Sequence, residues 1–277
     1  MKRLPEVITS RSNPLVVKMA KLENKKQREE EGLFRLDGVK LLCEALAFSA
    51  EIEYVFMRES SSAELLDHIE EHFGGKVPES EGTLVMLGDS AFEKMSNEKS
   101  PEGVITVAKY IDKSHKIVKI EKNTEVGRGK KALMLESVRD PGNLGTIMRT
   151  AAAFGTELII LSADCADIYN PKTVRAAMGA VFKVETLRVN SVSEAICALR
   201  ADGRRVFATA LDADALKLGD FKLRETDVFL IGNEGHGLSA EAIAACERSV
   251  FIPMSEGTES LNASVAASVC MWEMSKI

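Results

Sequence analysis

Residues 131–277 alternate short apolar runs with helical segments. "KALMLESV" precedes "LGTIMRTAAAFG", "ELIILSA" precedes "PKTVRAAMGAVF", and "VETLRV" precedes "SVSEAICALRADG". "RRVFATAL", "DVFLIG" and "SVFIPM" complete the series. Such runs are too short for core helices and read as strands buried on both faces. Strands joined by helices predict an α/β domain around a largely parallel sheet. Ligands of these sheets sit at the carboxyl ends of the strands, so the loops that follow them carry the candidate chemistry. The N-terminal region has a mixed pattern. "LLCEALAFSAEIEYVFM" predicts a helix running into a strand, "EGTLVML" and "EGVITVAKY" further strands, and "SAELLDHIEEHFG" a helix between them. "EKNTEVGRGKK" (121–131) is polar and without apolar period, and it predicts a linker. The expected division is a domain over 1–112, a linker over 113–130 and the α/β domain over 131–277.

Composition narrows the classes. A chain of 277 residues that is 45% hydrophobic can bury a sizeable core in one or two domains. No apolar stretch reaches membrane-spanning length, and the start lacks the apolar core of a secretory signal. The five cysteines (Cys43, Cys165, Cys197, Cys246, Cys270) are scattered without C-x-x-C spacing, which argues for a reducing compartment and against a disulfide framework or zinc site. A cytoplasmic protein is expected. His68 and His72 stand one helical turn apart in "HIEEH", but without a third ligand a solvated helix face is the expectation, and no metal. The net charge of −6 conceals an asymmetry: residues 1–28 hold eight Lys/Arg and two Glu. This basic arm is either a polyanion-binding end or a solvated helix.

Three loops stand out. In "RDPGN" (139–143) Pro-Gly turns the chain and Asn143 is placed as a helix N-cap. On the helix that follows, Leu144, Ile147, Met148, Ala151 and Phe154 share a stripe, while Arg149 lies roughly opposite and faces either a cleft or solvent. In "LIGNEGHGLS" (230–239) three glycines let backbone approach a ligand closely, Glu234 is the one acid, and Ser239 is a cap for the next helix. Neither the dinucleotide nor the Walker phosphate fingerprint is present. The third loop, "EGTESLNASVAASV" (256–269), enters a helix of small residues. Ser260 is expected to cap it, while Asn262, a short amide costly to bury unpaired, either caps something or binds something.

Taken together, "DPGNLGTIMRTAAAFG", "IGNEGHGLS" and "IPMSEGTESLNASVAASV" have the order and spacing of the three motifs of the SpoU/TrmH-type RNA ribose methyltransferases, which the chain resembles. "ITSRSNPLVVKMAKLENKKQREEEGLFRLDGVKLLCEAL" resembles that family's RNA-binding accessory domain, a small α/β unit related to ribosomal RNA-binding proteins. The resemblance implies the SPOUT fold, a parallel sheet with a C-terminal trefoil knot, and a homodimer with its active site near the subunit interface. It implies S-adenosylmethionine as cofactor, no metal, and RNA as partner, ribosomal RNA ahead of tRNA. Carried over by motif, the catalytic set is Asn143, Arg149, Glu234, Ser260 and Asn262. The cofactor contacts are Ala210, Leu211, Gly232, Ile252, Met254 and Leu261. Ala263 stands where a larger Val is common, Ala177 where Ser is common, and Asp37 where Glu is usual; none of these removes a catalytic group.

The implied reaction is methyl transfer to a ribose 2′-hydroxyl, with loss of the hydroxyl proton. A guanidinium is a poor general base, so Arg149 is more easily read as contacting phosphate and stabilising the developing alkoxide than as the proton acceptor. Glu234 orients Arg149 or Asn262, or contacts the substrate. Arg11, Lys18, Lys25, Lys26 and Arg28 are expected to contact RNA phosphates. The alternatives are a tRNA ribose methyltransferase, a non-catalytic RNA-binding or ribosome-assembly protein, and a base methyltransferase.

Overall fold

The computed structural model describes residues 6–73, 83–96, 100–111, 116–120, 129–233, 235–255, 257 and 260–277. The chain divides into two compact units, Met1–Asp112 with Tyr169–Phe182, and Lys113–Ile168 with Lys183–Ile277. Most of the expected linker lies outside the described residues.

The first unit contains α1 (Pro14–Ala20), α2 (Lys25–Glu31), β1 (Leu33–Asp37), α3 (Val39–Ala47), β2 (Ile52–Arg58), α4 (Ser62–Phe73), β3 (Leu84–Leu87), α5 (Asp89–Met95) and β4 (Val104–Lys109). Its sheet has the order β1-β4-β2-β3, antiparallel except for the β2–β3 pair. Strand alternation divides its apolar residues between two cores. Phe56, Val85, Leu87 and Val107 pack with Val16 and Met19 of α1 and Phe92 and Met95 of α5. Val55, Met57, Met86 and Val104 pack with Leu42 of α3 and Ile69 of α4. Each core closes one face of the sheet.

The second unit runs β5 (Ala132–Leu135), α6 (Pro141–Phe154) and β6 (Leu158–Ser162). The chain then contributes α7 (Pro171–Ala177) to the first unit, where it packs on β1. It resumes with β7 (Glu185–Val189), α8 (Val192–Ala201), β8 (Val206–Thr209), β9 (Leu216–Lys217), β10 (Val228–Ile231), α9 (Ala240–Ala245), β11 (Arg248–Phe251) and α10 (Ala263–Met274). The sheet order is β7-β6-β5-β10-β8-β11-β9, and every pairing is parallel. Its central strands are buried at every position, which is why the sequence reads as continuous apolar runs. Ala132, Met134, Ile160 and Leu230 pack with Ile196 and Leu199 of α8 and Ala242 of α9. Helices α6 and α10 pack on each other, and α10 also contacts β10. Because every strand points the same way, all their carboxyl ends open on one edge of the unit, and the loops emerging there form the candidate site.

Candidate active site

A cavity of about 470 Å³ lies at the carboxyl ends of the neighbouring strands β10, β8 and β11. All six residues expected to meet a cofactor, Ala210, Leu211, Gly232, Ile252, Met254 and Leu261, line it together with Ser260. The loop after β10 supplies the tightest wall. A β-carbon at Gly232 would stand 2.6 Å from the Gly237 carbonyl carbon and 2.8 Å from both the Gly237 oxygen and the Leu238 nitrogen, so only glycine fits. Asn233 and Gly237 close this loop with two backbone bonds, Asn233 N–H to Gly237 O at 3.2 Å and Gly237 N–H to Asn233 O at 2.9 Å. Leu211 is 81% exposed and Met254 is 42% exposed. Large apolar side chains beside a cavity are the part of a surface that a ligand most readily covers.

The helix caps depart from expectation in two places. Asp140, not Asn143, caps α6: its carboxylate accepts the Asn143 N–H at 2.8 Å, and Pro141 occupies the first turn, where a missing N–H costs nothing. Asn262, not Ser260, caps α10, its Oδ1 accepting from the Ser264 N–H at 2.8 Å and the Ser264 hydroxyl at 2.6 Å. Ser260 is left to the cavity wall. With Oδ1 so engaged, Asn262 turns Nδ2 outward to donate to Asn143 Oδ1 at 3.1 Å. The first and third loops therefore meet through two amides, one of which is also the cap of α10.

Arg149 is exposed on α6 and is not part of the cavity wall of its own chain. Glu234 lies outside the described residues. Among the described residues no group of three or more His, Cys, Asp or Glu is placed to hold a metal, and no helix is long and apolar enough to cross a membrane.

A polar network supports the turn between β5 and α6. Asp164, after β6, accepts from the Ser162 hydroxyl at 2.6 Å, Arg139 Nη2 at 2.7 Å and the Ser137 hydroxyl at 2.7 Å. Partial burial works against its charge, but these donors outweigh it and hold the carboxyl down to about 2. A depressed folded-state value stabilises above the unfolded one, near 3.8, and that contribution disappears as pH falls towards 2. Asp164→Asn should therefore cost at most about 1 kcal/mol at pH 7, solvent screening limiting a group this exposed. It should also flatten the fall in melting temperature between about pH 4 and 2 seen by calorimetry. An equally steep acid limb in the variant would refute this.

The basic arm is less free than its sequence implies. Arg28 is 1% exposed and donates to the carbonyls of Leu22 at 2.8 Å and Glu23 at 2.6 Å. It holds α2 to the preceding turn and is not a phosphate contact, which corrects the expectation. Lys18 pairs with Glu31 at 2.7 Å, Lys25 with Glu29 at 3.6 Å and Lys26 with Glu30 at 3.8 Å. Exposed pairs of this kind are weak, so these ammonium groups can still be drawn to phosphate. Arg11 is exposed in the turn before α1.

The profile of the SpoU rRNA methylase family matches residues 130–272, the span that carries all three loops and the cavity. The chain belongs to the SpoU rRNA methylase family. Residues 13–106 match the MRM3-like substrate binding domain. This SpoU-family chain is 27% identical to the 23S rRNA (guanosine(2553)-2′-O)-methyltransferase of Bacillus subtilis, across 96% of its own length and 98% of the relative's. It is 30% identical to the 23S rRNA (uridine(2479)-2′-O)-methyltransferase of Streptomyces viridochromogenes, across 96% and 90%. Among solved structures, an AdoMet-bound rRNA methyltransferase from Sinorhizobium meliloti superposes with a TM-score of 0.77 at 28% identity, covering 98% of this chain and 97% of that one.

Within the SpoU-family fold, sequence reasoning missed the side chains that hold the loops in place. Glu136, at the end of β5, accepts the Ser239 N–H at 2.9 Å and its hydroxyl at 2.7 Å, tying the start of α9 to the neighbouring strand. Asn233 binds across to Ser137. The only signal for either was its place directly after an apolar run.

Proposed function

We propose that this chain transfers the methyl group of S-adenosylmethionine to a ribose 2′-hydroxyl of ribosomal RNA. The observation that carries the reading is the convergence of Ala210, Leu211, Gly232, Ile252, Met254 and Leu261 on one cavity at the edge of a parallel sheet. The group fits this cavity by its chemistry. A volume of about 470 Å³ is in the range of small-molecule sites, and aliphatic side chains with close backbone at Gly232 suit an adenine ring and the short alkyl chain attached to a sulfonium. When bound, S-adenosylmethionine supplies an electrophilic methyl group.

The chain's own residues do the rest. Asn143 and Asn262 form a polar edge where the first and third loops meet. Arg149 contacts substrate phosphate and stabilises the alkoxide that develops at the 2′-oxygen as the hydroxyl proton leaves to water, because a guanidinium offers donors and no lone pair with which to take that proton. Glu234 orients Arg149 or Asn262, or contacts the substrate. Arg11, Lys18, Lys25 and Lys26 contribute phosphate contacts from the substrate-binding domain. Ribosomal RNA is preferred over tRNA because the relatives quoted above carry that activity in their names.

We infer further that the chain forms a cytoplasmic homodimer with a C-terminal trefoil knot. Two features support the dimer. The outward face of α10 carries Val265, Val269 and Trp272, of which Val265 is 46% and Trp272 52% exposed. Arg149 is exposed on the helix that packs beside it, outside its own cavity wall, so a second copy meeting this face would bring Arg149 towards a site. Support for the knot is the return of α10, after the last strands, to α6 near the start of the domain.

One preparation tests the reading. Incubated with S-adenosylmethionine and ribosomal RNA from a strain lacking the gene, the protein should produce a 2′-O-methylnucleoside on digestion and mass spectrometry. It should also sediment at about twice the 30.2 kDa chain mass. A methylated base, or no methylated product, would overturn the assignment.

A further inference from the structure

We propose that Asn233 is a positioning residue that registers the glycine-rich wall of the cavity against the turn leading into α6; this rests on the methyl-transfer reading above. The backbone ladder between β10 and β5 runs to the pair Ile231 and Leu135, and its last bond is Glu136 N–H to Ile231 O at 2.9 Å. Beyond that point the side chain of Asn233 takes over. Its Nδ2 donates to the Ser137 carbonyl at 2.9 Å, while its Oδ1 accepts the N–H groups of Gly235 at 2.8 Å and His236 at 3.2 Å. One carboxamide thus shapes the loop after β10 and joins it to the neighbouring strand end.

The receiving end is itself built. Ser137 has φ of 57°, a conformation that β-carbon sterics disfavour. Its N–H donates to Ser162 Oγ at 2.8 Å and its hydroxyl to Asp164 at 2.7 Å, so the carbonyl offered to Asn233 is fixed from both sides. Three residues later Asp140 caps α6, the helix that carries Asn143 and Arg149. A short path therefore runs from Gly237 in the cavity wall through hydrogen bonds to Asn233 and Ser137, and then along the chain to Asp140 and the helix with the proposed catalytic groups. Only an amide serves both ends. An ionised carboxylate keeps the two accepted bonds but cannot donate, and it faces a carbonyl oxygen; a methyl group does neither.

Two variants separate the two ends. Asn233→Asp keeps the loop's own bonds and loses the link to Ser137; Asn233→Ala loses both. Affinity for S-adenosylmethionine is read by calorimetry, kcat and KM with unmodified ribosomal RNA by methyl incorporation, and melting temperature alongside. Asn233→Asp should bind the cofactor within about threefold of the unaltered protein yet lose about tenfold or more in kcat, since misregistered groups lose rate before affinity. Asn233→Ala should lose about tenfold in both. Equal losses of affinity and kcat in the two variants, tracking their melting temperatures, would mean that Asn233 merely stabilises the fold. An unchanged kcat in Asn233→Asp would overturn the link to Ser137. If the unaltered protein fails to bind S-adenosylmethionine, the methyl-transfer reading falls and takes the positioning role with it. Unaltered protein that works, beside variants that work equally well, sinks this inference alone.

Discussion

Arg149→Ala should bind S-adenosylmethionine within about twofold of the unaltered protein and lose methyl transfer by a factor of about 10²–10³, the usual effect of removing one donor aimed at a developing oxyanion. Location and chemistry give the two halves of this result. Arg149 is exposed and takes no part in the cavity wall, so its loss leaves that wall in place. On α6 its neighbours one turn away include the buried Gly145 and the exposed Thr146 and Ala153, none of them a charged partner. A long cation among small neighbours has reach, and its planar fork suits a phosphate or an alkoxide bound from two sides. Arg149→Lys keeps the charge but loses the fork and should recover only part of the rate. Binding is measured by calorimetry and transfer by incorporation of labelled methyl into ribosomal RNA. Retained activity in Arg149→Ala would remove Arg149 from the reaction. A cofactor affinity that falls with the rate would instead place it in the cavity.

The second unit was legible because its central strands are buried on both faces and so spell out apolar runs; β5, β6, β7, β8, β10 and β11 all fall where those runs stand. β1 was not, because "LFRLD" holds Arg35 and Asp37. These two charges pair at 2.8 Å with side chains only 1% and 6% exposed, an arrangement no periodicity announces. β9 has two residues and exists only through its pairing with β11. The caps mislead for a local reason: Ser260 and Asn262, like Asp140 and Asn143, are competing capping types a few residues apart, and tertiary contacts choose between them. Pro141 is the local sign that decides the α6 case, since a proline in the first turn marks the residue before it, Asp140, as the cap. Arg28 misleads in the opposite way, since a cation in a basic run looks solvated until its carbonyl partners across the turn are seen. The six cavity residues came from family resemblance. Composition alone pointed no further than glycines that allow close approach.

That close approach is also where one methyl group should do most harm. Gly232→Ala should weaken S-adenosylmethionine binding by about ten- to a hundredfold, because forcing a group into a packed position typically costs about 1–3 kcal/mol and each 1.4 kcal/mol is tenfold in affinity. The obstruction is backbone: the new carbon would meet the Gly237 carbonyl at 2.6 Å, and a main chain closed by two hydrogen bonds between Asn233 and Gly237 cannot swing aside as a side-chain tip would. Relief requires the loop to open, which moves Gly232, Asn233 and Gly237, all three of them cavity wall. The strands beneath are buried and paired on both sides, so the damage should stay local, with little change in melting temperature relative to the loss of binding. Gly235→Ala is the matched control in the same loop. Its added carbon would meet only Asn233 Oδ1, at an ordinary 3.4 Å, and its binding should stay within about twofold of the unaltered protein. Equal binding by the two alanine variants would mean that the loop after β10 is not a wall of the cofactor site. A selective loss at Gly232 ties that wall to the absence of a single β-carbon.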